Sequence, residues 1–227
     1  KGYRQIDINL GCPFPMIAGK HKGAGMLLYP AQVAEVLAPI AEYPEIQFSL
    51  KMRLGWENAS ECMVLVELLN AIRLSRIALH ARTGKQQYKG HPDLEAFQGF
   101  YELCQHPLYY NGGIESLSDI RQILIRFPLL KGVFIGRGLL SSPLLAKEFK
   151  GNETFLPEQR MSIYFAFHEE LFSAYSQVLQ GETQLLVKMK TLWEYFLPET
   201  DRKLLKRIKK STRLQQYTES VKAIFTS

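Results

Sequence analysis

Short apolar runs alternate with amphipathic stretches along the first 150 residues of the chain. Five of these runs have the length and composition of β-strands, at residues 5–10, 46–53, 76–80, 107–111 and 131–135. Each is followed by a segment with helical periodicity, at 31–41, 60–71, 94–104, 117–126 and 143–149. Repeated β-then-α units at this spacing predict a parallel sheet covered by helices.

The pattern changes after residue 152. Strand signals disappear, and helical periodicity covers 157–180, 183–197, 199–208 and 212–225. We therefore predict two domains, an α/β domain at 1–152 and an α-helical bundle at 153–227. Five βα units fit either an open, doubly wound sheet or the last five units of a TIM-type (β/α) barrel. Both architectures place function at the carboxyl ends of the strands.

Composition narrows the class of protein. With 46% hydrophobic and 22% charged residues, the chain is globular and not disordered. No apolar run reaches the ~18 residues that span a bilayer, and no signal peptide opens the chain. Cys12, Cys62 and Cys104 form no CxxC pair, so neither a disulfide framework nor a metal site is predicted, and a cytoplasmic location fits. The net charge of +6 is compatible with a polyanionic partner.

The turn after the first predicted strand carries a thiol. Cys12 lies between Gly11, which lets the backbone approach a flat ligand, and Pro13, which ends the strand. A lone cysteine is more often a small buried apolar residue. Asn9 and the glycine-rich loop that follows favour a second interpretation, a protonated thiol that acts as a general acid.

Polar residues also lie at the ends of the next two predicted strands. Lys51 lies among apolar residues, so it either extends to the rim of the sheet or contacts an anionic ligand. His80 and Arg82 come at the end of the third strand. A histidine there is either a hydrogen-bonded structural residue or a ligand contact, and its position beside Arg82 favours the ligand.

Glycine-rich turns follow the last two predicted strands. The first is Asn111-Gly112-Gly113, and the second is Gly136-Arg137, just before a helix. Such turns expose backbone N–H groups, and in eight-stranded barrels the phosphate site lies in the loops after strands 7 and 8. If these are those loops, they hold a ligand phosphate. No GxGxxG motif follows a strand, which argues against a Rossmann dinucleotide site.

A cationic segment lies in the helical region. Residues 202–213 contain no acidic side chain and carry a series of cations, namely Arg202, Lys203, Lys206, Arg207, Lys209, Lys210 and Arg213. Such a helix face is either simply solvated or in contact with a nucleic-acid backbone. Lys20 and Lys22 add positive charge beside the Cys12 turn.

The motifs DINLGCP, GAG, KMRLGW, HARTGKQQYKG, NGGI and IGRGLLSSP, in this order, resemble the tRNA-dihydrouridine synthase family. The resemblance implies an FMN-containing eight-stranded barrel followed by a helical domain that contributes to tRNA binding. It also implies that Cys12 is the proton donor. The residues expected at the flavin are Lys51 and His80 at its ring system and Asn111, Gly112, Gly113, Gly136 and Arg137 at its phosphate. The residues expected at the RNA are Asn9, Lys20, Lys22, Arg82, Lys206, Arg207, Lys209 and Lys210.

The implied reaction is reduction of the C5=C6 bond of uridines in tRNA, with NADPH as the reductant. Two alternatives stay open, another FMN barrel that acts on a small molecule and a non-catalytic chain that binds RNA. The family's chain begins with three further βα units, to which nothing here corresponds. We therefore expect these 227 residues to belong to a longer protein.

Overall fold

A computed structural model describes residues 2–226, and a parallel five-stranded sheet is its first feature. The strands are β1 (Gln5–Leu10), β2 (Gln47–Gly55), β3 (Arg76–Thr83), β4 (Leu108–Asn111) and β5 (Gly132–Phe134). They pair in the sequential order β1-β2-β3-β4-β5, and every pair is parallel. A doubly wound sheet reverses its strand order at a switch point, so the described sheet is not of that kind.

Helices fill the connections and the rest of the chain. Those between the strands are α1 (Pro15–Ala18), α2 (Pro30–Leu37), α3 (Glu61–Asn70), α4 (Leu94–Leu103) and α5 (Leu117–Arg126). Two 3-10 helices, Gly23–Leu28 and Ala38–Glu42, flank α2. The helices after β5 are α6 (Arg137–Ser141), α7 (Leu145–Gly151), α8 (Pro157–Val178), α9 (Glu182–Leu192), α10 (Arg202–Lys210) and α11 (Leu214–Phe225).

The two faces of the sheet differ in chemistry. Leu50, Met52 and Leu54 of β2 and Leu79 of β3 are completely buried on one face, against which α3 and α4 pack. Because side chains alternate along a strand, the intervening residues lie on the opposite face. That face is polar, and its side chains include Asp7, Asn9, Ser49, Lys51, Arg53, His80 and Asn111.

The chain divides into two compact units. One comprises the residues up to Ile114 together with Ser118–Ile135, and the other comprises Glu115–Leu117 and the residues from Gly136 onward. The second unit has its own apolar core, in which Trp193, Phe196 and Tyr217 are almost completely buried. The domain boundary after residue 152 stays a prediction.

Several elements extend beyond their predicted bounds. β2 continues to Gly55 and β3 to Thr83, because these residues pair with each other across a bulge between Arg53 and Gly55. Lys51 therefore lies in the middle of β2, and His80 and Arg82 lie inside β3 and not after it. No predicted helix corresponds to α6. Among residues 2–226, no helix has the length and apolarity needed to cross a membrane.

Candidate active site

The carboxyl half of the sheet brings polar residues of four strands onto one face. The strand register pairs Asn9 of β1 with Lys51 of β2. Arg53 pairs with His80 of β3, which in turn pairs with Asn111 of β4. Paired residues in a parallel ladder project their side chains to the same side. Residues that the sequence predicted one at a time therefore share one surface.

The turn after β1 holds the predicted proton donor. Cys12 is partly buried, and its backbone oxygen accepts a hydrogen bond from the Ala24 N–H at 3.0 Å. Just before it, the Gly11 N–H donates to Asn9 Oδ1 at 2.9 Å. Gly23 has φ +56°, and a Cβ there would lie 2.8 Å from Cys12 Cβ. Glycine is therefore required for the loop to close against Cys12.

Arg53 connects the turns after β1 and β3. Its side chain is buried, and its Nε donates to the Gly11 oxygen at 3.0 Å. Its Nη1 donates to the oxygens of Thr83 at 2.9 Å and Gln87 at 2.7 Å, and its Cζ lies 5.3 Å from the centroid of the Tyr88 ring. Burial lowers the pKa of the Arg53 guanidinium. Arg53 is two residues after Lys51, which places the two side chains on one face of the strand, but no sequence motif identifies its backbone partners.

Lys51 supplies positive charge to the polar face. Its side chain is half-buried, and this burial lowers its pKa. The charge of Arg53 lowers that pKa further, whereas the Asp7 carboxylate raises it. No salt bridge in the described part of the chain includes Lys51. The arrangement suits an anionic or electron-rich ligand on this face.

His80 and Arg82 form a hydrogen-bonded pair inside β3. Arg82 Nη1 lies 3.2 Å from His80 Nε2, and Arg82 Nη2 donates to the Gly90 oxygen at 3.0 Å. A guanidinium can only donate, so Nε2 accepts and the proton of a neutral His80 is on Nδ1. Both side chains are buried. The structure therefore places Arg82 against the loop after β3, and its contact with RNA stays a prediction.

The two glycines after β4 pack closely against His80 and Pro92. Gly112 has φ +134°, and a Cβ there would lie 3.1 Å from His80 Cδ2. Gly113 has φ +63°, and a Cβ there would lie 2.9 Å from Pro92 Cγ. Both positions thus require glycine on backbone and steric grounds. A side chain at either position would therefore press against His80 or Pro92.

The remaining residues predicted at the phosphate are distributed over both compact units. Asn111 Nδ2 donates to the Phe134 oxygen at 2.8 Å, which links the ends of β4 and β5 in the first unit. Gly136 is the N-cap residue of α6, and Arg137 is the first residue of that helix, in the second unit. Their contact with a phosphate stays a prediction.

Helix α10 presents the cations that the sequence predicted for RNA binding. Asp201 caps its N-terminus by accepting from the N–H groups of Lys203 and Leu204, and Ile208 is buried on the opposite side. An open groove of about 410 Å³ lies between α10 and α11. The basic residues that line the groove are Lys203, Lys206, Arg207 and Lys210. Lys209 is exposed on the same helix, and Lys20 and Lys22 are exposed on the turn after α1.

Residues 2–226 contain no cluster of His, Cys, Asp or Glu side chains that could hold a metal ion.

A family model described as dihydrouridine synthase (Dus) matches residues 1–226. A probable tRNA-dihydrouridine synthase from Rhizobium leguminosarum bv. phaseoli is 32% identical over 139 residues, which are 61% of this chain and 44% of the relative. tRNA-dihydrouridine synthase B from Vibrio vulnificus is 27% identical, over 69% of this chain and 50% of the relative. A probable tRNA-dihydrouridine synthase from Aquifex aeolicus is 36% identical, over 64% of this chain and 46% of the relative. The chain spans about half the length of these relatives.

Proposed function

The chain belongs to the dihydrouridine synthase family, and from this premise we propose that it takes part in the FMN-dependent reduction of uridines in tRNA to dihydrouridine, with NADPH as the reductant. The main observation is that Lys51 and His80 lie on one polar face of the sheet and that the Cys12 turn and the Gly112-Gly113 turn follow the carboxyl ends of β1 and β4. Our proposal includes the architecture that the sequence resemblance implies. In it, the five βα units are the last five of an eight-stranded barrel, and the helices from residue 153 form a tRNA-binding domain.

The residues on this face fit a planar, anionic cofactor. A Cβ at Gly112 would lie against the His80 ring, so glycine at this position leaves space beside that ring for a flat ring system. In our proposal Lys51 and His80 contact the flavin ring, and the turn of Gly112 and Gly113 offers backbone N–H groups to its phosphate. When bound and reduced, FMN supplies the hydride that adds to C6 of the uracil.

Cys12 supplies the proton in the proposed reaction. Its thiol S–H bond breaks as the proton is transferred to C5 of the uracil, and the thiolate then takes a proton from solvent. Hydride addition at C6 and proton addition at C5 together saturate the C5=C6 bond. The hydrogen bonds of Gly11 to Asn9 and of Ala24 to Cys12 fix the turn that carries the thiol. We propose that Asn9 orients the uracil.

The proposed substrate must be extracted from folded RNA, because neither C5 nor C6 can be reached within a base stack. Phosphate contacts are required to hold the RNA while the uridine is flipped out. We assign these contacts to Lys20 and Lys22 beside the Cys12 turn and to the cations of α10, whose groove is lined by lysine and arginine side chains.

The test measures flavin binding and dihydrouridine formation by the purified protein. Its absorption spectrum after reconstitution with FMN reports flavin binding. NADPH and an unmodified tRNA transcript are then added, and dihydrouridine is measured by mass spectrometry of the digested RNA. Flavin binding together with dihydrouridine supports the proposal. Flavin-dependent reduction of a small enone without reduction of tRNA would indicate another FMN enzyme, and RNA binding without flavin would indicate a non-catalytic chain.

A further inference from the structure

The segment from Cys12 to Tyr29 folds back on itself through backbone contacts. The Ala24 N–H donates to the Cys12 oxygen at 3.0 Å, which joins the start of the segment to the 3-10 helix Gly23–Leu28. A Cβ at Gly25 would lie 2.6 Å from Ala18 Cα, so this helix also packs directly on the end of α1. The turn between α1 and the 3-10 helix therefore lies close in sequence and in space to the thiol.

A pair of stacked aromatic rings also joins two parts of this segment. The rings of His21 and Tyr29 are 4.1 Å apart between centroids and inclined by 23°. His21 has φ +53°, a conformation that a non-glycine residue rarely adopts. The Val33 N–H donates to the Tyr29 oxygen, and Val33 is completely buried on α2. The Tyr29 backbone is thus fixed to the core, and its ring holds the turn that contains His21.

We propose that His21 and Tyr29 form a clasp that keeps the turn closed over Cys12 and thereby sets the position and accessibility of its thiol. Gly23 is two residues after His21, and it packs against Cys12 Cβ. Release of His21 therefore frees the segment that covers the thiol. His21 and Tyr29 are positioning residues, and this inference rests on the proposed function, because it gives Cys12 the role of proton donor.

The strength of the clasp sets the size of the expected effect. A stacked aromatic pair changes a local equilibrium by about 2- to 10-fold beyond the effect of its buried area. His21 is exposed and Tyr29 is 37% exposed, so loss of the stack removes little core packing. We therefore expect the segment to open locally and the rest of the first unit to stay folded.

The experiment measures the alkylation rate of each cysteine with iodoacetamide, followed by peptide mass spectrometry. Tyr29→Leu removes the ring, and Tyr29→Phe keeps it. His21→Asn also removes a ring, but asparagine tolerates the positive φ at this position. We expect His21→Asn and Tyr29→Leu each to alkylate Cys12 about 2- to 10-fold faster than wild type, with Tyr29→Phe unchanged. The double variant should react no faster than either single variant, because both remove the same stacking interaction.

Cys62 and Cys104 are internal references in the same compact unit. General destabilisation would accelerate all three cysteines together and would overturn the proposal, as would unchanged alkylation of Cys12 or additive effects in the double variant. With tRNA as the substrate, kcat should not rise and should fall by at most this factor, because only the closed fraction of the protein places the thiol for proton transfer, and KM should stay constant. Protection of Cys12 by the clasp in a protein that forms no dihydrouridine would refute the proposed function and leave the clasp intact.

Discussion

Arg53 shows how one side chain organises the candidate active site. It is almost completely buried, and it donates hydrogen bonds to the backbone oxygens of Gly11, Thr83 and Gln87. These oxygens belong to segments that are far apart in sequence. A planar guanidinium can reach them simultaneously because its donors point in several fixed directions. The turn that carries Cys12 is therefore fixed to the end of β3 through Arg53.

We predict that Arg53→Met destabilises the first unit by about 2–4 kcal/mol, because buried carbonyls that lose their donors cost about 1–3 kcal/mol each. Arg53→Lys should cost less, since an ammonium group can still donate to some of them. Urea unfolding followed by circular dichroism measures the change. Arg73→Met is the matched control, because Arg73 is an exposed arginine with one hydrogen bond to the Pro44 oxygen. Equal effects of the Arg53→Met and Arg73→Met substitutions would show that Arg53 has no organising role.

A second residue-scale prediction concerns the proton donor. Cys12→Ala should leave flavin binding unchanged and slow uridine reduction by about 10²–10⁴-fold, the usual effect of losing a general acid. Single-turnover reaction of the reduced protein with tRNA measures the step directly. Cys104→Ala is the control, because Cys104 is a half-buried cysteine of the same unit that follows α4. A Cys12→Ala protein with the rate of wild type would exclude the assigned role.

At the scale of elements, the periodicity of the sequence located most helices and strands. β1 and α5 have the bounds that the sequence predicts, because each ends at a clear change of pattern. β2 and β3 are longer than predicted, since their last residues are held by pairing with each other, and sequence periodicity carries no information on such partners. Helix α6 begins at Arg137, within the Gly136-Arg137 turn, whose composition predicts a loop.

The same distinction separates the candidate site residues that the sequence predicts from those that it does not. Cys12, Lys51 and His80 stand out because a thiol or a charge at the end of an apolar strand is unusual. The hydrogen bonds of Arg53 and the stack of His21 on Tyr29 depend on how distant segments fold together. No local pattern marks such pairs, so they became visible only in the structure.

Helices α8, α9 and α11 are joined by a buried hydrogen-bond chain. Trp193, just after α9, donates from Nε1 to Tyr217 Oη at 2.9 Å, and Tyr217 Oη lies 2.7 Å from His168 Nε2. An indole can only donate, so the tyrosine oxygen accepts from it. The Glu169 carboxylate can only accept, so His168 Nδ1 carries a proton and donates to Glu169 Oε1 at 3.0 Å. In a neutral ring Nε2 then accepts the proton of the Tyr217 hydroxyl, and every member of the chain has a partner.

This arrangement predicts a pH-dependent stability of the helical unit. Burial lowers the pKa of His168 in the folded state, although its hydrogen bond with Glu169 opposes the shift. Between the lowered pKa and the ordinary value near 6.5, the unfolded chain binds more protons than the folded one. The free energy of unfolding should therefore fall as the pH drops below ~6.5, by at most about 1.4 kcal/mol per pH unit for this one group.

Urea unfolding of wild type and His168→Gln at several pH values measures the effect, because glutamine keeps polar atoms but does not titrate. The other histidines contribute equally to both proteins and cancel in the difference. The wild-type protein should lose more stability than the variant between pH 7 and pH 5. Parallel pH profiles for the two proteins would show that His168 is not the titrating group.

At the scale of the whole molecule, charge is concentrated in particular regions. The chain has a net charge of +6, and α10 carries cations along the groove that it forms with α11. Asp201 at its N-terminus is used in capping, and the acidic Glu219 belongs to the facing helix α11. A protein with evenly distributed positive charge and a protein with a specific RNA-binding helix would both attract RNA. The two cases differ in how RNA affinity changes when positive charge is removed from α10 alone.

Neutralising four cations of α10 separates these possibilities. The substitutions Lys206→Gln, Arg207→Gln, Lys209→Gln and Lys210→Gln lower the net charge from +6 to +2. If α10 binds the RNA backbone, the slope of log K against log salt should become shallower by about 0.7–0.9 for each phosphate that is no longer neutralised, because fewer counterions are released on binding. Filter binding of tRNA at several salt concentrations measures the slope, and circular dichroism verifies that the helices remain.

The matched control removes the same charge from other exposed positions. Its substitutions are Arg73→Gln, Lys131→Gln, Lys150→Gln and Lys222→Gln, which also give a net charge of +2. General attraction between a basic protein and RNA would make both variants lose affinity and slope equally, and the assignment of α10 would then be wrong. A shallower slope confined to the α10 variant, with flavin content unchanged, would place phosphate binding on that helix, because net charge is the same in the two proteins and only its location differs.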